Sequence, residues 1–170
     1  MATTDAAPVP PPRSQSRLSS ILLLALLAAV LFRAVTAVMD RAEKDKGGLV
    51  QWEPREKAAA LSQAAGRPIL YDFTAAWCGP CKLLDRDWND PAVAGKVNAS
   101  FVPARVVDRQ REEGRNSPDV SELERRYEVT GFPTLVVAAA DGRMIAKHEG
   151  YRGRAALLLF LEEAKKGPGP

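Results

Sequence analysis

The sequence predicts an α/β domain, with a mixed sheet covered by helices on both faces, behind an N-terminal transmembrane or signal helix. Three observations predict it. Helix-like and strand-like segments alternate from Leu49 to Lys166. An Asp141-Gly142 dipeptide between two apolar runs indicates a β-hairpin, so at least one pair of strands is antiparallel. A long uncharged run near the N-terminus stands apart from this pattern.

The composition fits one globular domain and excludes several other classes. The chain has 170 residues, of which 46% are hydrophobic and 26% charged, near the averages of folded proteins. Residues 1–39 contain three arginines and one aspartate, so they supply +2 of the formal net charge of +3. The domain itself is therefore nearly neutral, which gives no support to a nucleic-acid-binding face. Two cysteines are too few for a disulfide-rich miniprotein or a four-cysteine zinc site.

The N-terminal third divides into three segments. Residues 1–17 are proline-rich without apolar periodicity and are expected to be disordered. Residues 18–39 contain one charge, Arg33, and as a helix would extend about 33 Å, enough to cross a bilayer. A transmembrane signal anchor is favoured; a signal peptide cleaved after Ala37 and a buried core helix are the alternatives. Residues 40–48 resemble a charged linker, and residues 167–170 a disordered tail.

The first half of the domain, within residues 49–166, reads as helix, strand, helix, helix. Pro54 suits a first helical turn, and Gly66 is a typical helix end. Ile69–Phe73 is a short apolar run expected to form a buried strand. A helix should follow from Cys78 to Trp88, and a further one, capped by Asp90, should end near Asn98.

The second half reads as strand, loop, helix, hairpin, helix. The mainly apolar run Phe101–Val107 is expected to be the next strand, and the charged stretch Asp108–Ser117 is expected to be a solvated loop. The remaining predicted elements are a helix over Pro118–Tyr127, hairpin strands over Thr134–Ala139 and Met144–Glu149, and a terminal amphipathic helix over Arg154–Lys166.

Chemistry concentrates in the segment Trp77-Cys78-Gly79-Pro80-Cys81. A cysteine at a helix N-terminus lies beside unpaired N–H groups and the positive end of the helix dipole, which favour its thiolate. Cys78 therefore suits the attacking nucleophile, and Cys81, one turn further in and shielded, suits the resolving thiol. The alternatives are a zinc half-site, which lacks two further ligands, a structural disulfide, whose short loop stabilises little, and two unrelated buried thiols.

These residues resemble the thioredoxin superfamily. The resemblance rests on Asp72-Phe73, on Ala76 to Lys82 and on Gly131-Phe132-Pro133-Thr134, and it covers about Leu49 to Lys166. The stretch from Trp88 to Val93 is also similar to the C-terminal domain of bacterial membrane thiol:disulfide interchange reductases. The resemblance implies a thioredoxin fold with a central four- to five-stranded mixed sheet, a dithiol reductase activity, and no cofactor or metal besides a redox-active Cys78–Cys81 disulfide.

The resemblance also implies roles for individual residues. Asp72 matches the buried carboxylate that exchanges a proton with the second cysteine, and Pro133 matches a cis-proline beside the dithiol. A lysine accompanies that carboxylate in thioredoxins; the matching position here is taken to be Ala104, with Arg105 pointing to the opposite face. The expected substrate-binding residues are those that border the dithiol: Trp77, Gly79, Pro80, Phe132 and Pro133.

The predicted protein is a membrane-tethered thiol–disulfide oxidoreductase that reduces protein disulfides. Its expected partners are protein disulfide or dithiol substrates, an upstream membrane or soluble thiol reductase, and the membrane itself, with no nucleic acid and no oligomer. The expected location is the bacterial inner membrane, with a single span and the redox domain on the extracytoplasmic side. The rival interpretation is a non-enzymatic tethered module that binds extended peptides; a metallochaperone is a third.

Overall fold

The computed structural model describes residues 26–33 and 49–166. Residues 26–33 are helical and exposed, and they belong to a different unit from the domain. Within these two ranges, no helix combines the length and the apolar character that a membrane crossing requires. Most of the predicted span 18–39, the predicted disordered ends 1–17 and 167–170, and the predicted linker 40–48 lie outside the described residues.

The domain contains four strands and six α-helices among residues 49–166, in nearly the predicted order. The helices, after a 3-10 turn at Arg55–Lys57, are α1 (Ala58–Ala65), α2 (Gly79–Trp88), α3 (Pro91–Ser100), α4 (Gln110–Glu113), α5 (Pro118–Arg126) and α6 (Arg154–Lys165). The strands are β1 (Ile69–Ala75), β2 (Val102–Asp108), β3 (Thr134–Ala138) and β4 (Met144–Glu149). One prediction was wrong in part: the stretch expected to be all loop contains α4, a single turn with no apolar face.

The four strands form one mixed sheet in the order β2-β1-β3-β4. Strands β1 and β2 are parallel, and β3 is antiparallel to both β1 and β4. In the parallel pair Ala75 lies opposite Asp108, so the segments that leave these two strands emerge side by side at one edge. Several helix ends and turns occur at the capping and turn residues that the sequence analysis identified.

Three of these capping and turn residues act through backbone geometry or hydrogen bonds. Gly66 ends α1 in the left-handed region, at φ 61°. Asp90 caps α3, because its Oδ1 accepts hydrogen bonds from the N–H groups of Ala92 and Val93. Gly142 in the β3–β4 turn has φ 85°, which glycine adopts without strain.

Two apolar layers, one on each face of the sheet, form the core. The first lies under α2, α3 and α6 and includes Leu70, Leu84 and Trp88. The second lies under α1 and α5 and includes Tyr71 and Phe73. Successive β1 residues face opposite layers, as strand geometry requires. The residue after Leu70 and Tyr71, Asp72, therefore belongs to the layer beneath α2, the helix that carries the cysteines.

Candidate active site

The two cysteines lie at the junction between β1 and α2. Cys78 is the N-cap residue of α2, and it forms a disulfide with Cys81, at a Cα–Cα distance of 5.3 Å. The Cys81 N–H also donates a hydrogen bond to Cys78 Sγ, at 3.1 Å. That N–H and the positive helix end would stabilise negative charge on this sulfur once the disulfide is reduced. The geometry therefore supports the predicted attacking role of Cys78.

Exposure does not distinguish the two cysteines in this oxidised state. The exposed fraction is 2% for Cys78 and 3% for Cys81. The shielding predicted for Cys81 is confirmed, but Cys78 is equally covered, because both sulfur atoms belong to a small apolar cluster with Ala75 and Phe132. The asymmetry between the cysteines lies in the hydrogen bond to Cys78 Sγ.

An aromatic rim borders the disulfide. The Trp77 side chain is 41% exposed, and its ring meets the Phe132 ring edge to face, with centroids 5.7 Å apart. Gly79 and Pro80 are exposed at the start of α2. Of the residues predicted to bind substrate, Trp77 and Phe132 are thus in contact with each other, and Phe132 also packs against the cysteine pair. Sequence analysis missed one further member, Arg111 of α4, whose guanidinium Cζ lies 3.7 Å from the Trp77 ring centroid.

In the segment before β3, next to this aromatic rim, the backbone N–H and carbonyl of Phe132 are, among the described residues, free to bind a substrate. The Phe132–Pro133 peptide bond is cis, as predicted, and Pro133 is buried. The Pro133 carbonyl accepts a hydrogen bond from the Gly150 N–H, and Thr134 Oγ1 donates to the Gly131 carbonyl. Within residues 49–166, the N–H and carbonyl of Phe132 have no hydrogen-bond partner. An extended polypeptide could pair with them as an added strand.

Asp72 is buried beneath α2, with an exposed fraction of 1%. Its Oδ2 accepts hydrogen bonds from Trp88 Nε1 and Arg105 Nε, both at 3.1 Å. Its Oδ1 is equally buried but has no hydrogen-bond partner among the described residues. One carboxylate oxygen is thus held in place, while the other is available to take a proton.

The prediction for Arg105 was wrong. In the β1–β2 register Asp72 lies opposite Arg105, and Ala104 lies opposite Tyr71 on the other face. Arg105 Nη2 lies 3.0 Å from Asp72 Oδ2, so this arginine holds the place where thioredoxins have a lysine. The predicted position was one residue off along the strand, and a shift of one residue moves every side chain to the opposite face.

Arg105 connects Asp72 to the surface. Its Nη2 also lies 2.8 Å from Oδ1 of Asp85, a residue on α2 whose side chain is 45% exposed. Its guanidinium Cζ lies 4.4 Å from the ring centroid of Trp52, which in turn packs edge to face on Trp88. Trp52 and Trp88 therefore help to fix the ion pair in position.

Burial raises the pKa of Asp72, because it removes water from the charged form. The charge of Arg105 opposes this rise, while the negative charge of Asp85 adds to it, and the hydrogen bonds from Arg105 and Trp88 oppose it further. The net direction is upward, consistent with one carboxylate oxygen that no donor reaches. A raised pKa brings a carboxyl closer to the pH at which it can exchange protons with a thiol.

No group of three or more histidine, cysteine or acidic side chains is arranged to hold a metal ion in the part of the chain that the structure describes.

The comparison with protein families gives one domain match. A family model described as a thioredoxin-like domain matches residues 55–165. A protein disulfide-isomerase of Triticum aestivum is 34% identical over 103 residues, covering 60% of this chain and 18% of that protein. A thioredoxin of Mycobacterium tuberculosis is 31% identical over 100 residues, covering 59% of this chain and 76% of that protein. The chain thus spans about a fifth of the length of the first curated relatives it matches, the plant isomerases.

Solved structures with a similar fold include thiol–disulfide proteins, as the sequence relatives do. A solved structure of a DsbH oxidoreductase has a TM-score of 0.60 and 26% identity, and the match covers 69% of this chain and 85% of that one. The DsbD C-terminal domain of Neisseria meningitidis has the same fold, with a TM-score of 0.52 and 24% identity, over 64% of this chain and 90% of that one. The four-stranded mixed sheet, the cysteine pair at the start of α2 and the family match together show that this chain belongs to the thioredoxin-like family.

Proposed function

We propose that the protein is a thiol–disulfide oxidoreductase that reduces disulfides in protein substrates through Cys78 and Cys81. One observation carries the proposal: the two cysteines form a disulfide at the start of α2, with the Cys81 N–H donating to Cys78 Sγ. A structural disulfide needs no such stabilisation of one sulfur atom. The thioredoxin and the protein disulfide-isomerases among the relatives support the same activity.

The reaction proceeds in two exchanges. The Cys78 thiolate of the reduced protein attacks one sulfur of a substrate disulfide, so a Cys78–substrate mixed disulfide forms and the other substrate sulfur leaves as a thiolate. Cys81 then loses its proton to Asp72 and attacks Cys78 Sγ. The second substrate thiolate is released, and the Cys78–Cys81 disulfide forms again. The substrate gains two electrons, and an upstream thiol reductase must return two electrons to the cysteine pair.

The substrate is expected to bind as an extended segment. The open N–H and carbonyl of Phe132 would pair with its backbone, and the exposed Trp77 ring would contact its side chains. Because backbone pairing reads no particular side chain, many proteins could be reduced. The resolving step depends on Asp72, whose free Oδ1 and raised pKa suit it to accept a proton.

The reductive direction is supported by the Gly79-Pro80 dipeptide, which is the one thioredoxins have. Thioredoxin potentials lie about 90 mV below those of disulfide isomerases, which corresponds to roughly 4 kcal/mol in favour of reducing the substrate.

Two measurements test this function. The wild-type chain should reduce insulin with dithiothreitol as electron donor, and Cys78→Ser should abolish turnover. Cys81→Ser should hold substrates on Cys78 as mixed disulfides that dithiothreitol releases, with Cys78→Ser as the matched control that captures none. Binding of extended peptides without any turnover by the wild-type chain would instead support the rival, a non-enzymatic binding module.

We further propose that residues 18–39 stay on the mature protein as a single membrane span, with the redox domain on the extracytoplasmic face. The run is long enough to cross a bilayer, and residues 40–48 provide slack between membrane and domain. Tethering would raise the effective concentration of the cysteine pair toward membrane-bound redox partners.

The tether is tested by N-terminal sequencing and by labelling. A mature N-terminus at Val38 would contradict an anchor. A membrane-impermeant maleimide should label reduced Cys78 in intact cells, with permeabilised cells as the positive control and the double variant lacking both cysteines as the blank. Labelling only after permeabilisation would place the domain in the cytoplasm.

A further inference from the structure

Arg111 is placed at the substrate rim by the sheet. Because β1 and β2 are parallel and end opposite each other, the segment after β2 lies beside the segment that leads from β1 to Cys78. The short helix α4 follows β2, and from it the Arg111 side chain extends over the Trp77 ring at 3.7 Å. Trp77 contacts Phe132, which packs on the disulfide cluster. Two residues, Trp77 and Phe132, thus lie between Arg111 and the reacting sulfur atoms.

The Arg111 guanidinium is available for a ligand. Arg111 is exposed, and among the described residues it has no carboxylate partner, whereas its neighbour Arg109 forms an ion pair with Glu113. A guanidinium stacked on an aromatic ring keeps its N–H donors directed outward around the ring edge. The stacking also limits the freedom of a long side chain, so less entropy is lost when a carboxylate binds to it.

The charges around Arg111 indicate that it selects an acidic residue only at short range, and does not attract acidic proteins in general. The segment 108–115 contains three arginines and three carboxylates, and so has no net charge. It would not steer acidic proteins from a distance. A carboxylate held next to Arg111 by a substrate already bound at the rim would, in contrast, form a charge-assisted hydrogen bond.

We propose that Arg111 is a specificity-determining residue, which favours substrate segments that carry an aspartate or glutamate close to the cysteine under attack. The proposal rests on the proposed function, because it concerns the substrates of that same reaction. In this proposal, Trp77 contacts the substrate chain directly. Trp77 also positions Arg111, whose guanidinium binds an acidic side chain of that chain.

The test uses the full chain and synthetic peptides with one intrachain disulfide. The peptides differ only by glutamate or glutamine at a single position, which lies one or two residues before or after one of the two cysteines. The readout is the ratio of kcat/KM for the glutamate peptide to kcat/KM for its glutamine counterpart, with dithiothreitol as electron donor. The wild-type chain should prefer glutamate by about two- to five-fold at one or more positions, the range of an exposed ion pair.

Variants separate charge from shape. Arg111→Gln should bring the ratio to one, and Arg111→Glu should reverse the preference. Arg111→Lys should retain only part of the preference for glutamate. A lysine keeps the positive charge but lacks the planar guanidinium that stacks on Trp77. Arg115→Gln removes an exposed arginine of the same segment, without a ring contact among the described residues, and should keep the wild-type ratio.

The outcomes are distinguishable. Turnover of both peptides with no preference at any position, or a preference that survives Arg111→Gln, would overturn the role of Arg111 and leave the proposed function in place. Equal gains for both peptides in Arg111→Gln would mean that the arginine merely covers the rim, which also overturns it. No turnover of either peptide by the wild-type chain would remove the proposed function and this inference together.

Discussion

Replacing Arg105 with methionine should destabilise the domain by an amount that grows with pH. Arg105 is 8% exposed and is the charged partner of Asp72, which is 1% exposed. Without it, Oδ2 of Asp72 keeps only the hydrogen bond from Trp88, and Oδ1 already has no partner among the described residues. Asp85 loses a partner too, but its half-exposed carboxylate can be hydrated instead. The cost therefore falls on Asp72.

The size of that cost has an upper limit. Breaking a buried ion pair typically costs about 3–5 kcal/mol, because a charge is left without compensation. A carboxyl can avoid this by taking a proton. With an unfolded pKa of about 3.9, keeping Asp72 neutral at pH 7 costs about 4 kcal/mol, and at pH 5 about 1.5 kcal/mol. We expect a loss of about 3 kcal/mol at pH 7, including the lost contact with Trp52.

The pH dependence has a definite sign. Because burial raises the pKa of Asp72, its contribution favours the folded state most below the unfolded pKa and is lost as the pH rises through the folded pKa. Arg105 lowers this pKa, so without Arg105 the pKa of folded Asp72 is higher. The free energy of unfolding then continues to fall up to a higher pH. The stabilities of wild type and variant should separate above the pH at which Asp72 ionises in the wild type, by at most about 1.4 kcal/mol per pH unit.

Urea denaturation of both chains from pH 4.5 to 8, followed by tryptophan fluorescence, measures this difference. Arg125→Met, which removes a surface ion pair with Glu122, is the matched control and should cost less than about 1 kcal/mol at any pH. The double variant Asp72→Asn/Arg105→Met should recover most of the loss, since no buried charge remains. A loss that is constant across this pH range, or a double variant as unstable as Arg105→Met, would refute the argument.

Three further outcomes are expected. In the reduced protein Cys78 should be alkylated by iodoacetamide before Cys81, because its thiolate accepts the Cys81 N–H; mass mapping that finds Cys81 modified first would reverse the roles. Asp72→Asn should keep the native circular dichroism spectrum but slow the resolution of the mixed disulfide, and unchanged stopped-flow kinetics from pH 6 to 9 would exclude its role as proton acceptor. Trp88→Phe should lower the free energy of unfolding by about 1–3 kcal/mol, since a donor to buried Asp72 is lost, while Trp77→Phe at the exposed rim should cost less than about 1 kcal/mol; equal losses would contradict this.

Most of the fold could be predicted because its signals are local. Gly66 ends α1, Asp90 caps α3, and Asp141-Gly142 turns the hairpin, each through a backbone conformation or hydrogen bond made within a few residues. Helix α4 was missed because one turn of helix carries no apolar period to recognise. The contact between Arg111 and Trp77 has no sequence signal, since it depends on how α4 and the turn after β1 meet at the sheet edge.

The cysteine pair could be predicted for a similar reason. Four residues of sequence, with a strand before them and a helix after, determine where both sulfur atoms lie. The partner of Asp72 could not be predicted by counting along one strand, because the register between β1 and β2 is set by packing across the sheet. An error of one position was enough to assign Ala104 in place of Arg105.

A non-local signal was nevertheless present. The predicted strand Ile69–Phe73 contains one charge, Asp72, and the predicted strand Phe101–Val107 contains one charge of opposite sign, Arg105. A lone charge in a buried strand is costly unless an opposite charge meets it. Two neighbouring buried strands with one charge each therefore require the register that pairs them. Pairing these two charges sets Asp72 opposite Arg105, as observed, so the buried ion pair is a cause of the strand register beneath the cysteines.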